Sequence, residues 1–241
     1  VPHPSTYRKL LRDTLQEAWE AALAGDPVSA FGGIVIANRK VDKATAEAIH
    51  EIFIEVIIAP DYEEEALAVL QGKKNRIILK RKALALPKRQ FKSLLNGVVE
   101  QDKDASIEGA EQFTYVTDKR PTTAEEADLV FAMKVCKHLK SNAIAVAKDR
   151  QLIGMGAGQT SRVDALQQAV AKARHFDFDT TGAVLASDAF FPFKDSVELA
   201  HQAGIAAVIQ PGGSRRDQES IDYCNANGLA MVMTGVRHFR H

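Results

Sequence analysis

"GAVLASDAFFPFKDSVELAHQAG", Gly182 to Gly204, decides the fold. Ala183 to Ala186 is a short apolar run of the kind that fills a parallel strand, and Val197, Leu199 and Ala200 then recur at helical spacing. A strand that hands over to a helix presents its carboxyl edge at the join, which is where open α/β sheets take their ligands. Asp188, Phe190, Phe191, Pro192, Phe193 and Asp195 crowd into that join. One reading is purely architectural: Asp195 is a helix N-cap and the aromatics plug the core. The other makes the three Phe residues, stiffened by Pro192, a wall for a flat heteroaromatic ring.

The same alternation extends in both directions. Leu10, Leu11, Leu15, Ala18, Trp19, Ala22 and Leu23 keep a helical period that Gly25, Asp26 and Pro27 close. A strand at 31–38, a helix at 44–53, a strand at 56–59, a helix at 63–70 and a strand at 76–79 follow. Lys80, Arg81, Lys82, Lys88, Arg89 and Lys92 then read as a solvated loop or edge; no aromatic ladder accompanies them, as single-stranded nucleic acid would require. The composition shifts at 106–122, where Thr122 and Glu125 form a capping box before a long amphipathic helix to Leu139. Strands at 143–148 and 152–155, a helix at 162–173, and strands at Ala183, Ala206 and Leu229 separated by helices complete a second α/β stretch. No residue-level repeat links the two halves, although both share the α/β plan. The expected division is 1–118 and 119–241.

A chain of 241 residues with 46% hydrophobic content can build one large or two small cores. Lys plus Arg equals Asp plus Glu at 31 each, so charge points to neither nucleic acid nor a membrane surface as partner. No window has the roughly 18 apolar residues of a spanning helix, and a cytoplasmic location is expected. Cys136 and Cys224 lie inside helical patterns and read as small buried hydrophobes, not as a disulfide or metal pair.

Five further motifs carry possible chemistry. "LIGMGAGQTSRVDA" puts Gly154, Gly156 and Gly158 between a strand and a helix, either an anion loop or a tight structural turn; its spacing is a weak dinucleotide fingerprint, so an oxidoreductase is a distant reading. "KSNAIAV" sets Asn142 before a buried strand, where an amide can donate and accept, or simply cap a helix. "QPGGSRRD" offers an anion nest or a loop. "GVRHFRH" is a basic tail, of the kind usually only solvated, and "DPVSAFGG" is a turn with two glycines that permit close approach.

Taken in order, "DPVSAFGGIVIANRKVD", "IIAPDYEEEAL", "KSNAIAVAKD", "GMGAGQTSRVDA", "LASDAFFPFKD", "VIQPGGS" and "TGVRHFRH" resemble the formyltransferase part of the bifunctional purine biosynthesis family, which combines AICAR transformylase with IMP cyclohydrolase. The resemblance runs from about Asp26 to His241. It implies an α/β fold of duplicated cytidine-deaminase-like three-layer α/β/α units without the deaminase zinc; the chain has no His-x-Glu with Pro-Cys-x-x-Cys. It implies transfer of a formyl group from 10-formyltetrahydrofolate, as co-substrate and with no metal required, to the 5-amine of AICAR. It also implies a homodimer.

By the same resemblance, Asn142 contacts the reacting formyl region and Arg162 lines the nucleotide and folate site. Phe190 stands beside the AICAR ring, Asp195 contacts folate, and the FFPF turn forms a rigid wall between the substrates. Glu55 holds the carboxamide, Arg237 lies near the carboxamide and phosphate, and His241 steadies the catalytic histidine. That histidine belongs to a Lys-His pair which the family carries ahead of "DPVSAFGG", with an Arg-Tyr-Gly phosphate grip further upstream. "VPHPSTYRKLL" stands in that place, His3 has no Lys before it, and the base role is not carried onto it. Without that base, proton transfer slows by at least about 10²-fold. The expectation is therefore a transformylase core whose base comes from elsewhere, or else a nucleotide- and folate-binding module without turnover.

Overall fold

The computed structural model describes residues 13–85 and 87–240. The first half holds α1 (Leu15–Ala24), β1 (Gly33–Ile36), α2 (Lys43–His50), β2 (Ile54–Ala59), α3 (Glu64–Gln71) and β3 (Ile77–Lys80). A hairpin of β4 (Arg89–Leu94) and β5 (Gly97–Asp102) follows, and then β6 (Thr114–Tyr115). The second half runs α4 (Thr123–Cys136), β7 (Ile144–Lys148), β8 (Gln151–Gly156), α5 (Arg162–His175), β9 (Val184–Ser187), α6 (Asp195–Gln202), β10 (Ala207–Gln210), α7 (Asp217–Asn227) and β11 (Ala230–Met233).

The apolar runs of the second half form one six-stranded sheet in the order β6-β11-β10-β9-β7-β8. Strands β9, β10 and β11 are parallel, β7 runs against both β8 and β9, and β6 runs against β11. Every residue of β9 and β10 is buried, because both faces of the sheet are covered. On one face Leu166, Ala169, Val197, Ala200 and Cys224 of α5, α6 and α7 meet Val146, Leu185, Val208 and Met231. On the other, Leu129, Ala132, Val135 and Cys136 of α4 meet Ala145, Ala186, Ala207, Ile209 and Val232. This half is a three-layer α/β/α sandwich. The capping box at Thr122 and Glu125 is formed. The helix it starts departs from the amphipathic expectation, since Asp128, Leu129, Phe131, Ala132, Met133, Val135 and Cys136 are all buried. Asp128 tolerates burial by accepting the backbone N–H groups of Asp149 and Arg150 at 2.8 and 2.5 Å.

The first half differs from the three-layer expectation. Its parallel sheet β1-β2-β3 is covered on one face, where Trp19, Ala46, Ile49, Ala66 and Leu70 pack with Val35, Ile57 and Ile78. The register aligns Ile34, Ile36, Val56, Ile58, Ile77 and Leu79 across the opposite face. No helix among the described residues covers them, and Ile36 remains 62% exposed. The two halves are tied by Lys172 Nζ to Asp26 Oδ2 at 2.6 Å and by Gln151 Nε2 donating to Ala21 O at 2.8 Å. The chain has already joined the larger sheet at Thr114, where β6 pairs with β11.

The hairpin β4–β5 was not legible as strands, because all twelve of its residues are exposed and no core face imposes an alternation. Lys80 pairs with Asp61 at 2.8 Å and Arg89 with Glu100 at 3.1 Å, so part of the basic run is matched by neighbouring acids. Both cysteines are buried, and among the described residues no helix is long and apolar enough to cross a membrane.

Candidate functional site

Strands β9, β10 and β11 end at one edge of the six-stranded sheet. Because β7 opposes both β8 and β9, the start of β7 and the end of β8 lie at that edge too. Five segments meet there: Asn142 before β7, residues 157–161 after β8, 188–194 after β9, 211–216 after β10 and the tail 234–240 after β11.

Asp188 closes β9 at full burial, with Oδ1 3.4 Å from Nη2 of Arg162, the first residue of α5. Asp188 Oδ2 and Arg162 Nε are also buried, and neither has a hydrogen-bond partner among the described residues. Each such orphan costs about 1 to 3 kcal/mol; both atoms are closed to solvent, so a ligand would bond to them only after the pair shifts to open them. Sequence reasoning gives Asp188 no role at the site; its signal is an acid that directly follows Ser187 at the end of a buried strand.

The three Phe residues diverge, which corrects the picture of a single wall. Phe191 is wholly buried in the core beneath α5 and α6, its backbone N–H held by Gln210 Oε1 at 2.9 Å. Phe190 is half-buried with the Arg237 guanidinium 5.2 Å from its ring centre, and Phe193 is exposed under Arg216 at 4.9 Å. Asp195 is the first residue of α6 rather than its N-cap, which is Lys194; its Oδ1 accepts from the Ser196 backbone at 2.7 Å. Asn142 spends its Nδ2 hydrogens on the carbonyls of Gln159 and Thr160, at 3.1 and 3.0 Å, leaving Oδ1 to accept from a ligand. Asn142, Arg162, Phe190, Asp195 and Arg237 thus share one edge. Glu55 stands apart, exposed on β2 of the smaller sheet, and His3 and His241 lie outside the described residues.

The glycine motifs prove architectural. A Cβ at Gly154 would lie 2.1 Å from Ala169 O, and one at Gly156 1.9 Å from Ala165 O, so these glycines let α5 press against β8 rather than cradle an anion. In "QPGGSRRD" the expected anion nest is filled by the chain itself: Asp217 Oδ2 accepts from the backbone of Gly213 at 2.7 Å and of Ser214 at 3.1 Å. The tail is not simply solvated either. His238 is buried, and Arg240 donates to the carbonyl of His138 at 2.9 Å.

Cys136 lies against this site yet is no nucleophile. Burial pushes its thiol well above the ordinary range, and the Asp188 charge adds to that. Cys224 is pushed up to about 12 by burial alone. Among the described residues no cluster of His, Cys, Asp and Glu is arranged as a metal site. A groove of about 390 Å³ between α1 and α2, lined by Trp19, Leu23 and the acids Glu20, Glu47 and Glu51, offers carboxylates but no cation and is unsuited to a phosphate ester.

A sequence profile of the AICARFT/IMPCHase bienzyme family matches residues 9–172. Bifunctional purine biosynthesis protein PurH of Bacteroides thetaiotaomicron is 61% identical over 230 residues, which is 95% of this chain and 45% of that protein. The proteins of the same name from Caldicellulosiruptor saccharolyticus and Aquifex aeolicus are 52% and 48% identical, over 95% and 100% of this chain and 44% and 47% of theirs. The chain therefore spans a little under half the length of these curated relatives. A diaminohydroxyphosphoribosylaminopyrimidine deaminase/5-amino-6-(5-phosphoribosylamino)uracil reductase from Thermotoga maritima overlays with a TM-score of 0.33 at 19% identity, across 46% of this chain and 35% of that one.

Proposed function

The chain belongs to the AICARFT/IMPCHase bienzyme family, and on that premise we propose that its sheet edge is the substrate site of a formyl transfer from 10-formyltetrahydrofolate to the 5-amine of AICAR. The observation that carries this reading is the convergence at one edge of a cation-capped aromatic face, Phe190 under Arg237, with the two unpaired polar atoms of Asp188 and Arg162. The face suits a planar imidazole, the cation its carboxamide or phosphate, and the unpaired donor and acceptor, once the pair shifts to open them, its polar substituents.

The Arg162 guanidinium stabilises the negative charge that develops as the formyl carbon is attacked, Asn142 Oδ1 accepts from the attacking amine, and Asp195 at the mouth of α6 contacts the folate. His241 stands beside the catalytic histidine, and Glu55, which lies on the smaller sheet, reaches the carboxamide of a site completed by the second copy of the proposed dimer. The amine still needs a base to take its proton, and the reading draws that group from a Lys-His pair outside this stretch. A nucleotide- and folate-binding module without turnover is the second reading, because Phe190 under Arg237 would serve binding alone.

The proposal includes duplicated cytidine-deaminase-like units, divided as 1–118 and 119–241. In support, the order α1-β1-α2-β2-α3-β3 repeats α5-β9-α6-β10-α7-β11, parallel throughout and with helices packed on the equivalent face. It also includes a cytoplasmic homodimer whose second copy covers apolar residues such as Phe91, Leu94 and Val98 of the hairpin. Calorimetry with AICAR tests the site: Phe190→Ala and Arg237→Ala should each weaken binding by about 1 to 3 kcal/mol. Unchanged affinity in both variants would place the site elsewhere, and a monomeric mass by light scattering of the same sample would remove the dimer.

A further inference from the structure

Between the hairpin and β6 the chain carries two acids that close on a ring more than a hundred residues away. His238 Nδ1 lies 2.6 Å from Asp104 Oδ2, and Nε2 lies 2.8 Å from Glu108 Oε2. The His238 side chain is wholly buried, Glu108 is 1% exposed, and Asp104 is partly open. A carboxylate only accepts, so a ring that meets one on each nitrogen must donate twice, and an imidazolium alone has two N–H donors. Lys137, at the end of α4, brings a second cation: its Nζ is 3.2 Å from Asp104 Oδ1 and donates to the Ser106 carbonyl. Ser106 Oγ in turn donates to Glu108 Oε1. Two acids, a lysine and an imidazolium make a neutral, closed set. Burial raises both carboxyls, but for Glu108 the bonds from Ser106 and His238, and for Asp104 those from His238 and Lys137, outweigh it and hold both below the usual range.

Buried ion sets add little to stability compared with apolar side chains of the same shape, so position is the better account of this one. The backbone N–H of His238 donates to Asp188 O at 2.9 Å. Two residues on, Arg240 N–H donates to Ser141 Oγ, and Ser141 N–H donates to Arg240 O, both at 2.9 Å. The tail is therefore laced between the Asn142 segment and the turn that carries Phe190. Arg237 immediately precedes the clamped ring and is itself exposed, so its place over Phe190 depends on where the neighbouring backbone is held.

We infer that His238, held by Asp104 and Glu108, is the positioning residue of this site: it pins the tail so that Arg237 caps Phe190. The inference rests on the reading that a ligand sits beside Phe190. Its test therefore has one arm without ligand, amide hydrogen exchange on the chain and on His238→Leu. The amides of Ser141 and Arg240 and that at position 238 should lose protection by at least about tenfold, while those of Ile209 and Met231 in the central strands keep theirs. Unchanged protection at all three would overturn the inference. If His238→Leu also loses the central strands, Glu108→Gln takes its place and must show the same local loss.

The second arm titrates AICAR into the chain, His238→Leu, Arg237→Ala and the double variant. The His238 change should weaken binding about tenfold, and the double variant should bind no more weakly than Arg237→Ala alone, the mark of one residue acting through the other. Additive losses would reject positioning in favour of a merely structural ring. A chain that takes up no AICAR would remove the proposed function, and the exchange arm would still decide the clamp.

Discussion

Replacing Gly156 by Ala separates the two readings of the glycine loop. The added Cβ would lie 1.9 Å from Ala165 O, 2.6 Å from its carbonyl carbon and 2.7 Å from its Cα. Contacts below 3.0 Å are essentially never tolerated, so the first turns of α5 must move away from β8 by roughly 1 Å. All three obstructing atoms are backbone, and no rotamer change can relieve them. Overpacking of this kind costs about 1 to 3 kcal/mol, and a rigid obstacle puts this site near the upper end. For a chain of this size each kcal/mol lowers the thermal midpoint by about 2 to 4 °C, so a fall of about 6 to 12 °C is expected in scanning calorimetry. Gly154→Ala should behave alike, since its Cβ would meet Ala169 O at 2.1 Å. A midpoint within about 2 °C of the parent, with AICAR affinity reduced instead, would refute the packing argument and restore the loop as a ligand cradle.

Arg162→Met would leave the buried Asp188 carboxylate without its cation; the loss should be about 3 kcal/mol in urea unfolding, at the low end for a broken buried pair because the 3.4 Å contact is long. A loss under about 1 kcal/mol would mean that Asp188 is already neutral or solvated. Glu108 and Asp104 have carboxyls held below their unfolded-chain range, so each stabilises the fold above about pH 4 and loses that effect as the pH falls through the lower folded value. Glu108→Gln should therefore cost about 1.5 to 3 kcal/mol at neutral pH, with the gap to the parent narrowing below about pH 4; a gap that is constant or grows in acid would contradict the assignment.

Elements with a core face were legible in the sequence, and those without one were not. The apolar runs that begin at Ala183, Ala206 and Leu229 announce strands because both sheet faces exclude water. The hairpin β4–β5 exposes every residue and leaves no periodicity to read. The proposed repeat between the halves is one of element order, which side-chain identities need not share. At the site, residue types announced the segments but not their orientation. Phe190 and Phe191 are adjacent and alike, yet one faces Arg237 and the other the core, because successive residues past a strand end point to opposite sides. His238 looked like part of a solvated basic tail, since the acids that bury it lie 134 and 130 residues earlier. Only topology brings them together.

The two halves differ in what they can do alone, and the difference follows from their layers. In the second half α4 seals one sheet face, and the segment from α4 into β7 delivers Lys137, Ser141 and Asn142 to the site edge. No element among the described residues does the same for the first half. On the duplicated reading, the open row of Ile34, Ile36, Val56, Ile58, Ile77 and Leu79 is the counterpart of the face that α4 covers. A chemical division matches the structural one. The groups to which the proposed transfer assigns orientation and charge stabilisation, Asn142, Arg162, Asp188 and Arg237, all sit on the sealed half, where packing on both faces fixes the strand ends to which they are attached. On that same reading the proton acceptor of the proposed transfer belongs to the half whose second layer is open. Nucleotide affinity should then depend on the second half and its tail clamp, and turnover on the group that the first half presents.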